Sequence, residues 1–330
     1  MIKKDFRIVF MGTPEFAVAS LDKLLQDGYS ILAVVTAPDK PAGRGKKLQA
    51  SAIKQYAEAN RLKVLQPEKL KAEDFLTELS SLQSDLFVVV AFRMLPEIVW
   101  NMPPKGTINL HASLLPQYRG AAPINRAVMN GETETGLSTF FLTHEIDTGN
   151  VIAQIKLPID LSDNAGDMHD RMMISGADLL SETVERIMNN NYESMPQLEE
   201  KSAENDLKKA PKIFKEDCLI NWHQPGMKIY NQIRGLSPYP TAFTEIHSAE
   251  NEPYQLKIFS STFEPFGSDS EGILKQMPSG TVVIEDRKNM RIAAQDGWIS
   301  VKEVQQSGRK RMSVGDYLRG LVICSDLKAS

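Results

Sequence analysis

The chain has 330 residues, more than one domain usually holds, so two are expected. It is 42% hydrophobic and 24% charged, with a formal net charge of −4 and a pI near 5.8. That is an ordinary globular composition, not a basic nucleic-acid coat, so any RNA contact must come from local patches. The two cysteines, Cys218 and Cys324, are far apart in sequence, which excludes a Cys-x-x-Cys metal site and a disulfide framework and suits a reducing compartment. No apolar run reaches membrane-spanning length. Strand-like sequence begins by Arg7, leaving no room for a signal or transit peptide, so the expected compartment is the cytoplasm.

In chain order, Arg7 to Met11 reads as a strand closed by Gly12, and Pro14 opens a helical pattern through Leu25. Ile31 to Val35 is a second strand. A helix over Ala52 to Asn60, a short strand at Val64-Leu65 and a helix near Leu70 to Leu82 follow. Asp85 to Ala91 is a near-continuous apolar, largely β-branched run, as in a strand buried on both faces. Pro96 to Met102 reads as a helix and Thr107 to His111 as a strand. Strands alternating with helices predict right-handed βαβ units and a doubly wound, mostly parallel sheet, with its ligand beyond the carboxyl ends of the strands. Gly12, Phe92 to Leu95, Asn109 and His111 all fall at such ends. A helix from Pro123 to Asn130 precedes Glu134 to Thr143 and Val151 to Leu157, read as an antiparallel pair joined through His144 to Asn150, and then a long helix over Gly166 to Asn190. From Tyr192 to Lys209 the chain is polar and aperiodic. Beyond it come one helical stretch, Gly226 to Arg234, and short alternating runs at Leu256–Phe259, Gly280–Ile284, Met290–Ala293 and Trp298–Val301, which suggest a small β-barrel. The expected division is a first domain over 1–191, a linker over 192–209 and a second domain over 210–330.

The stretch from Gly106 to Val151 carries the chemistry. Alternate side chains of a strand share a face, so Asn109 and His111 point the same way, about 7 Å apart. A carboxamide that can stabilise an oxyanion, beside an imidazole that can move a proton, suits acyl-group chemistry. Each residue alone has a structural reading: Asn109 in a turn, His111 as a satisfied core histidine, Asp147 in an Asp-Thr-Gly-Asn turn. Leu114-Leu115-Pro116 and Arg119-Gly120-Ala-Ala-Pro123, partly apolar and twice punctuated by proline, read as a shaped binding loop. Gly12-Thr13-Pro14 is not Gly-x-Gly-x-x-Gly, so a dinucleotide cofactor is not expected.

Asn109-Leu-His111-x-Ser113-Leu-Leu-Pro116-x-x-Arg119-Gly120-x-x-Pro123, with Asp147-x-Gly149 downstream, resembles the signature of the folate-dependent formyltransferases. The likeness continues through Val9 to Ala17, Pro38 to Leu48, Ile233-Arg234, Pro238-Tyr-Pro240 and Met312-Ser-Val, and so covers nearly the whole length. The resemblance implies a Rossmann-like catalytic domain followed by an OB-like barrel. It implies 10-formyltetrahydrofolate as donor, no metal, and the branch whose acceptor is initiator methionyl-tRNA. It also implies Asn109, His111 and Asp147 as catalytic: the amide stabilising the oxyanion formed by amine attack, the imidazole carrying the proton, the carboxylate orienting it. It assigns the folate to Ser113, Leu114, Leu115 and Pro116 and to Phe92, Met94 and Leu95, where Phe92 to Pro96 departs from the family's Tyr-Gly-x-Ile-Leu-Pro form. The basic loop Lys40 to Lys47 otherwise reads as a solvated loop. The resemblance makes it a grip on the tRNA acceptor end through Arg44, Lys46 and Lys47. Further basic clusters lie at Lys201, Lys208, Lys209, Lys212 and Lys215, and at Arg309 to Arg311, and Trp298 is the tryptophan placed for RNA stacking. A monomer is expected. A sugar-nucleotide formyltransferase, a non-catalytic RNA binder on the same fold and a formyl hydrolase remain as rivals.

Overall fold

A computed structural model describes residues 2–42, 47–197, 207–248, 252–267, 277–320 and 327–330; Arg44, Lys46, Lys201 and Cys324 lie outside the described residues. In chain order the strands begin with β1 Arg7–Gly12, β2 Ser30–Val35, β3 Lys40–Ala42, β4 Lys47–Gln49, β5 Val64–Leu65 and β6 Leu86–Val90. Then come β7 Thr107–His111, β8 Arg119–Gly120, β9 Glu134–Phe141, β10 Val151–Pro158, β11 Lys209–Ala210 and β12 Ala242–His247. The last are β13 Tyr254–Pro265, β14 Val282–Glu285, β15 Asn289–Ala293, β16 Gly297–Gln306, β17 Met312–Ser313 and β18 Lys328–Ala329. The α-helices are α1 Glu15–Gln26, α2 Ala52–Ala59, α3 Glu73–Ser81, α4 Glu97–Trp100, α5 Pro123–Met129, α6 Ala165–Met188, α7 Gly226–Leu236 and α8 Val314–Arg319.

The chain forms two compact units. One comprises Met1–Gly120, Glu134–Pro158 and His169–Ala210; the other comprises Ala121–Thr133, Ile159–Met168 and Pro211–Ser330. The first is built on a seven-stranded sheet in the order β10-β9-β7-β6-β1-β2-β5. Its five strands from β7 to β5 run parallel, and β9 and β10 add an antiparallel edge. Every residue of β6 is buried, because helices cover both faces and an all-apolar strand is the pattern such a position selects. Phe75, Leu79 and Val99 pack on Val9, Met11, Val35, Phe87 and Val89 from one side. The expected helices near Leu70 and Pro96 are shorter than read, Glu73–Ser81 and Glu97–Trp100.

The second unit is the expected barrel: six antiparallel strands in the order β14-β15-β16-β13-β12-β18, with β17 paired to β16. A bridge from Thr281 to Lys328 links the β14 end to β18 and nearly closes the sheet. Its interior is filled by Ile220, Trp222, Ile258, Ile292, Ile299 and Tyr317, with α7 and α8 against it. Three strands and a helix of this unit, β12, β17, β18 and α8, are absent from the sequence reading. Within the same unit α5 packs on α7, where Asn125 Nδ2 donates to the Gly235 carbonyl at 2.8 Å. Arg234 is 5% exposed; its guanidinium donates to the carbonyls of Asp160 at 3.3 Å and Asp163 at 2.9 Å and to Asn231 Oδ1 at 2.8 Å. That arginine of the Ile-Arg pair therefore clamps the segment before α6.

Candidate active site

The parallel strands bring their carboxyl ends to one edge. The chain winds from β1 to β2 and β5 on one side, then returns to β6 and β7 on the other, so the winding reverses between β1 and β6. Ligands of such sheets settle at that reversal. The register puts Gly12, Val90 and Leu110 in one row, with His111 one residue beyond it. Gly12, Phe92 to Leu95, Asn109 and His111 thus share this edge, as their positions at strand ends predict.

Asn109 is half-buried, and among the described residues its carboxamide has no hydrogen-bond partner. His111 is 7% exposed and stands edge-on to Phe140, centroids 6.5 Å apart. Its Nε2 lies 3.0 Å from the Tyr118 carbonyl oxygen. A carbonyl only accepts, so in the neutral ring Nε2 carries the proton and Nδ1 keeps the lone pair. Nδ1 faces Asp147 Oδ2 at 3.8 Å. That gap is too long for a hydrogen bond but short enough for the carboxylate to favour a proton on Nδ1.

Asp147 is held from several sides. Its Oδ2 accepts from the Gly120 N–H at 2.9 Å, and its backbone sits in the left-handed region at φ 56. Aspartate tolerates that conformation better than most residues. Two residues on, Gly149 is required, because a Cβ there would run into the Phe141 carbonyl oxygen. Gln197 Nε2 donates to the carbonyls of Asp147 at 2.9 Å and Gly149 at 2.8 Å.

The Ser113–Pro116 loop is tied down from within. Ser113 is fully buried and its hydroxyl donates to the Gln117 carbonyl at 2.6 Å. Ser138 Oγ donates to the Ser113 carbonyl at 2.6 Å and accepts from the Leu115 N–H at 3.0 Å. Gln154 Nε2 closes the set on the Leu115 carbonyl at 3.0 Å. Leu115 is buried with Phe140 and Val151, while Leu114 and Pro116 are half-buried. On the β6–α4 connection, Leu95 is buried, Phe92 half-buried and Met94 72% exposed. Arg93 anchors this connection to the carbonyls of Pro67 and Glu68.

Of the three residues expected in the basic loop, Arg44 and Lys46 lie outside the described residues, and Lys47 is described only as backbone of β4. The loop is not a plain connector: β3 and β4 pair antiparallel, from Lys40 with Gln49 to Ala42 with Lys47. Asp39 at its base accepts from Lys54 Nζ at 2.7 Å and Gln66 Nε2 at 2.8 Å, which holds its carboxyl below the usual carboxylate range. In the barrel, Trp298 is half-buried between Phe266, edge-on at 5.6 Å, and Arg291, whose guanidinium lies 5.2 Å from the ring centre. Arg311 covers Phe259 at 4.4 Å and pairs with Glu303, so part of the Arg309–Arg311 cluster is engaged within its own unit. Among the described residues, no group of three or more His, Cys, Asp and Glu side chains gathers as metal ligands would. Gln197, Arg119 and the Tyr118 carbonyl are the parts of the site that the sequence did not reveal as such; Gln197 sits in an aperiodic polar stretch with nothing to mark it.

Comparison with known proteins agrees with this geometry. The family described as formyl transferase matches residues 6–184, and the formyl transferase C-terminal domain matches residues 212–322. A methionyl-tRNA formyltransferase of Bacteroides thetaiotaomicron is 52% identical over 330 residues, covering 99% of each chain. A protein of the same name from Parabacteroides distasonis is 51% identical over 321 residues, 97% of each. Among solved structures, an N-formyltransferase from Helicobacter canadensis in complex with folinic acid and dTDP-3-aminofucose superposes with a TM-score of 0.64 at 23% identity, over 93% of this chain and 100% of that one. At that identity the likeness speaks for the fold. The two family matches and the near-complete span of the relatives place the chain in the formyl transferase family, as one of its enzymes.

Proposed function

We propose that this enzyme transfers the formyl group of 10-formyltetrahydrofolate to the free amino group of initiator methionyl-tRNA, and so supports initiation of translation. The observation that carries the reading is the cluster at the end of β7: an unengaged Asn109 carboxamide beside His111, whose Nδ1 faces Asp147 at 3.8 Å. The acceptor follows the relatives of about half identity, which bear that tRNA in their names. Donor chemistry is supported by the folinic acid bound in the Helicobacter canadensis structure.

In the proposed reaction the amine lone pair attacks the formyl carbon and a C–N bond forms. The carbonyl electrons move onto oxygen, which takes a hydrogen bond from the Asn109 N–H; one such donor contributes about 10²–10³ in rate. His111 Nδ1 removes the proton from the ammonium nitrogen that results. It returns that proton to the folate nitrogen as the C–N bond to folate breaks and the carbonyl re-forms, an effect of about 10²–10⁴. While the ring is charged, both its nitrogens are satisfied: Nε2–H by Tyr118 and Nδ1–H by the field of Asp147. No covalent enzyme intermediate is needed. The donor is read as lying along Ser113 to Pro116 and against Phe92, Met94 and Leu95. The acceptor stem is read as meeting Arg44, Lys46 and Lys47. The chain acts as a cytoplasmic monomer, with Met1–Asn191 and the segment from Ala210 to Ser330 as its working domains.

A radiolabelled transfer assay tests the reading. Formyl label should move from 10-formyltetrahydrofolate to charged initiator methionyl-tRNA, and at least about 10²-fold more slowly to a nucleotide-linked amino sugar. Preference for the sugar, or formate release without any amine, would reject it.

A further inference from the structure

Asp147 and its turn are fastened by a segment that lies beyond α6 and that sequence reading treats as a spacer. Gln197 is 6% exposed. Its amide nitrogen donates to the Asp147 and Gly149 carbonyls at 2.9 and 2.8 Å, and its Oε1 accepts from Arg119 Nε at 3.0 Å and Nη2 at 2.6 Å. Both N–H donors and both lone pairs of the carboxamide are thereby used, which leaves one orientation for the group. Its backbone is fixed as well: Met195, two residues before, exchanges two hydrogen bonds with Val151, each 2.8 Å long.

The same segment reaches the imidazole. The Lys208 carbonyl accepts the Tyr118 N–H at 2.6 Å, and the Tyr118 carbonyl takes His111 Nε2 at 3.0 Å. Beside it β11 pairs in parallel with β8, whose Gly120 N–H holds Asp147 Oδ2. A Cβ at Gly120, φ +127, would meet the Ala210 carbonyl, so this pairing is as close as backbones come. His111 and Asp147 therefore hang on one strap.

We infer that Gln197 is a positioning residue of the active site: by bonding the Asp147–Gly149 turn and the Arg119 side chain together it sets the Asp147 carboxylate at its working distance from His111. The inference rests on the roles given to Asp147 and His111 above. Asp147 occupies a left-handed backbone, which persists only where neighbours hold it, and Gln197 supplies two of the bonds that hold this turn. A shift of about 1 Å at a reacting group can cost about 10²-fold in rate.

The test is a set of variants assayed for formyl transfer from 10-formyltetrahydrofolate to methionyl-tRNA, with thermal midpoints measured alongside. Gln197→Met removes both polar ends at similar length. Gln197→Glu keeps the acceptor for Arg119 and, once ionised, cannot donate to the two carbonyls, so it separates turn-holding from folding. Both should lose about 10–10²-fold in kcat with KM for each substrate within about threefold. Added to Asp147→Asn, which keeps the shape of the side chain, Gln197→Met should change kcat by less than about twofold, because neighbours that act as one unit are not additive. Wild-type kcat in Gln197→Glu, or losses that multiply in the double variant, would overturn the positioning role while leaving Asp147 standing. Wild-type kcat in Asp147→Asn would instead remove Asp147 from the chemistry, and the inference with it.

Discussion

At the carboxyl end of β7 the polar side chains are held by backbone: Tyr118 takes the imidazole, Gly120 takes the carboxylate, and Gln197 takes two carbonyls of the turn. In the barrel the polar side chains lie on rings: Arg311 on Phe259, Arg291 on Trp298, Lys212 on Phe214 at 5.6 Å and Lys215 on Phe243 at 5.9 Å. The difference follows from the sheets. An open parallel sheet has an edge where groups from distant parts of the chain converge, and convergence is what bond-making needs. A barrel that nearly closes leaves its outer faces to carry function, and cations on aromatics make a broad, shallow surface, each pair worth about 0.5–1 kcal/mol when exposed. One unit is thus built for a point and the other for an area.

That contrast can be broken most sharply at the point. Asn109→Ala and His111→Ala should each lower kcat by about 10²–10⁴-fold, with folate affinity changed only a few fold. Turnover near wild type in either, measured by the transfer assay, would show that the edge of the first sheet is not where the bond is made. Next in size is a loss confined to the barrel. Ile258 is fully buried, and Ile258→Ala should cost about 2–5 kcal/mol in a denaturant titration. If only the barrel supplies area, the folate site of a protein kept below its unfolding midpoint should titrate unchanged. A smaller effect is expected at the basic loop. Arg44→Ala should raise KM for tRNA more than KM for folate. It should also lower the slope of log affinity against log salt by about 0.7–0.9 for each phosphate that the arginine neutralises. An unchanged slope would take the loop out of the interface.

The smallest effect concerns stability against pH. Burial works to raise the Asp85 carboxyl, but Arg7 outweighs it, with its guanidinium 3.0 Å away and its backbone N–H at 2.8 Å, and holds the group below the ordinary range. A depressed carboxylate contributes stability that is present above its unfolded pKa and is lost as pH falls through its folded one. The loss therefore lies on the acid side, below about pH 4. Asp85→Asn should flatten that acid limb in thermal scans and shift the neutral midpoint by about 2–4 °C at most. An unaltered limb would show that the first unit does not depend on this pair.

Much of the first unit is legible in the sequence because burial on both faces leaves a plain mark: Leu86–Val90 reads as a central strand in any context, and the pattern places α6 within two residues at each end. The same holds for Asn109 and His111, whose spacing of two sets their common face. The barrel is harder. In β12, Ala-Phe-Thr-Glu-Ile-His follows Pro238-Tyr-Pro240, and the prolines read as a turn running on. In β13, twelve residues read as four, since only Leu256 to Phe259 alternate cleanly. The β3–β4 hairpin is hidden by its lysines and glycines, which favour a loop until the pairing is seen. Gln197 is invisible for a different reason. Its importance lies entirely in which carbonyls happen to be within reach, and nothing in an isolated glutamine records that.

The pairing of β11 with β8 bears on how such proteins can be recombined. A graft that exchanges C-terminal barrels between relatives has its seam after Ala210. Cut at Asn191 instead, a chimera would import a foreign glutamine and a foreign strand into its own active site, and would test two domains while appearing to swap one.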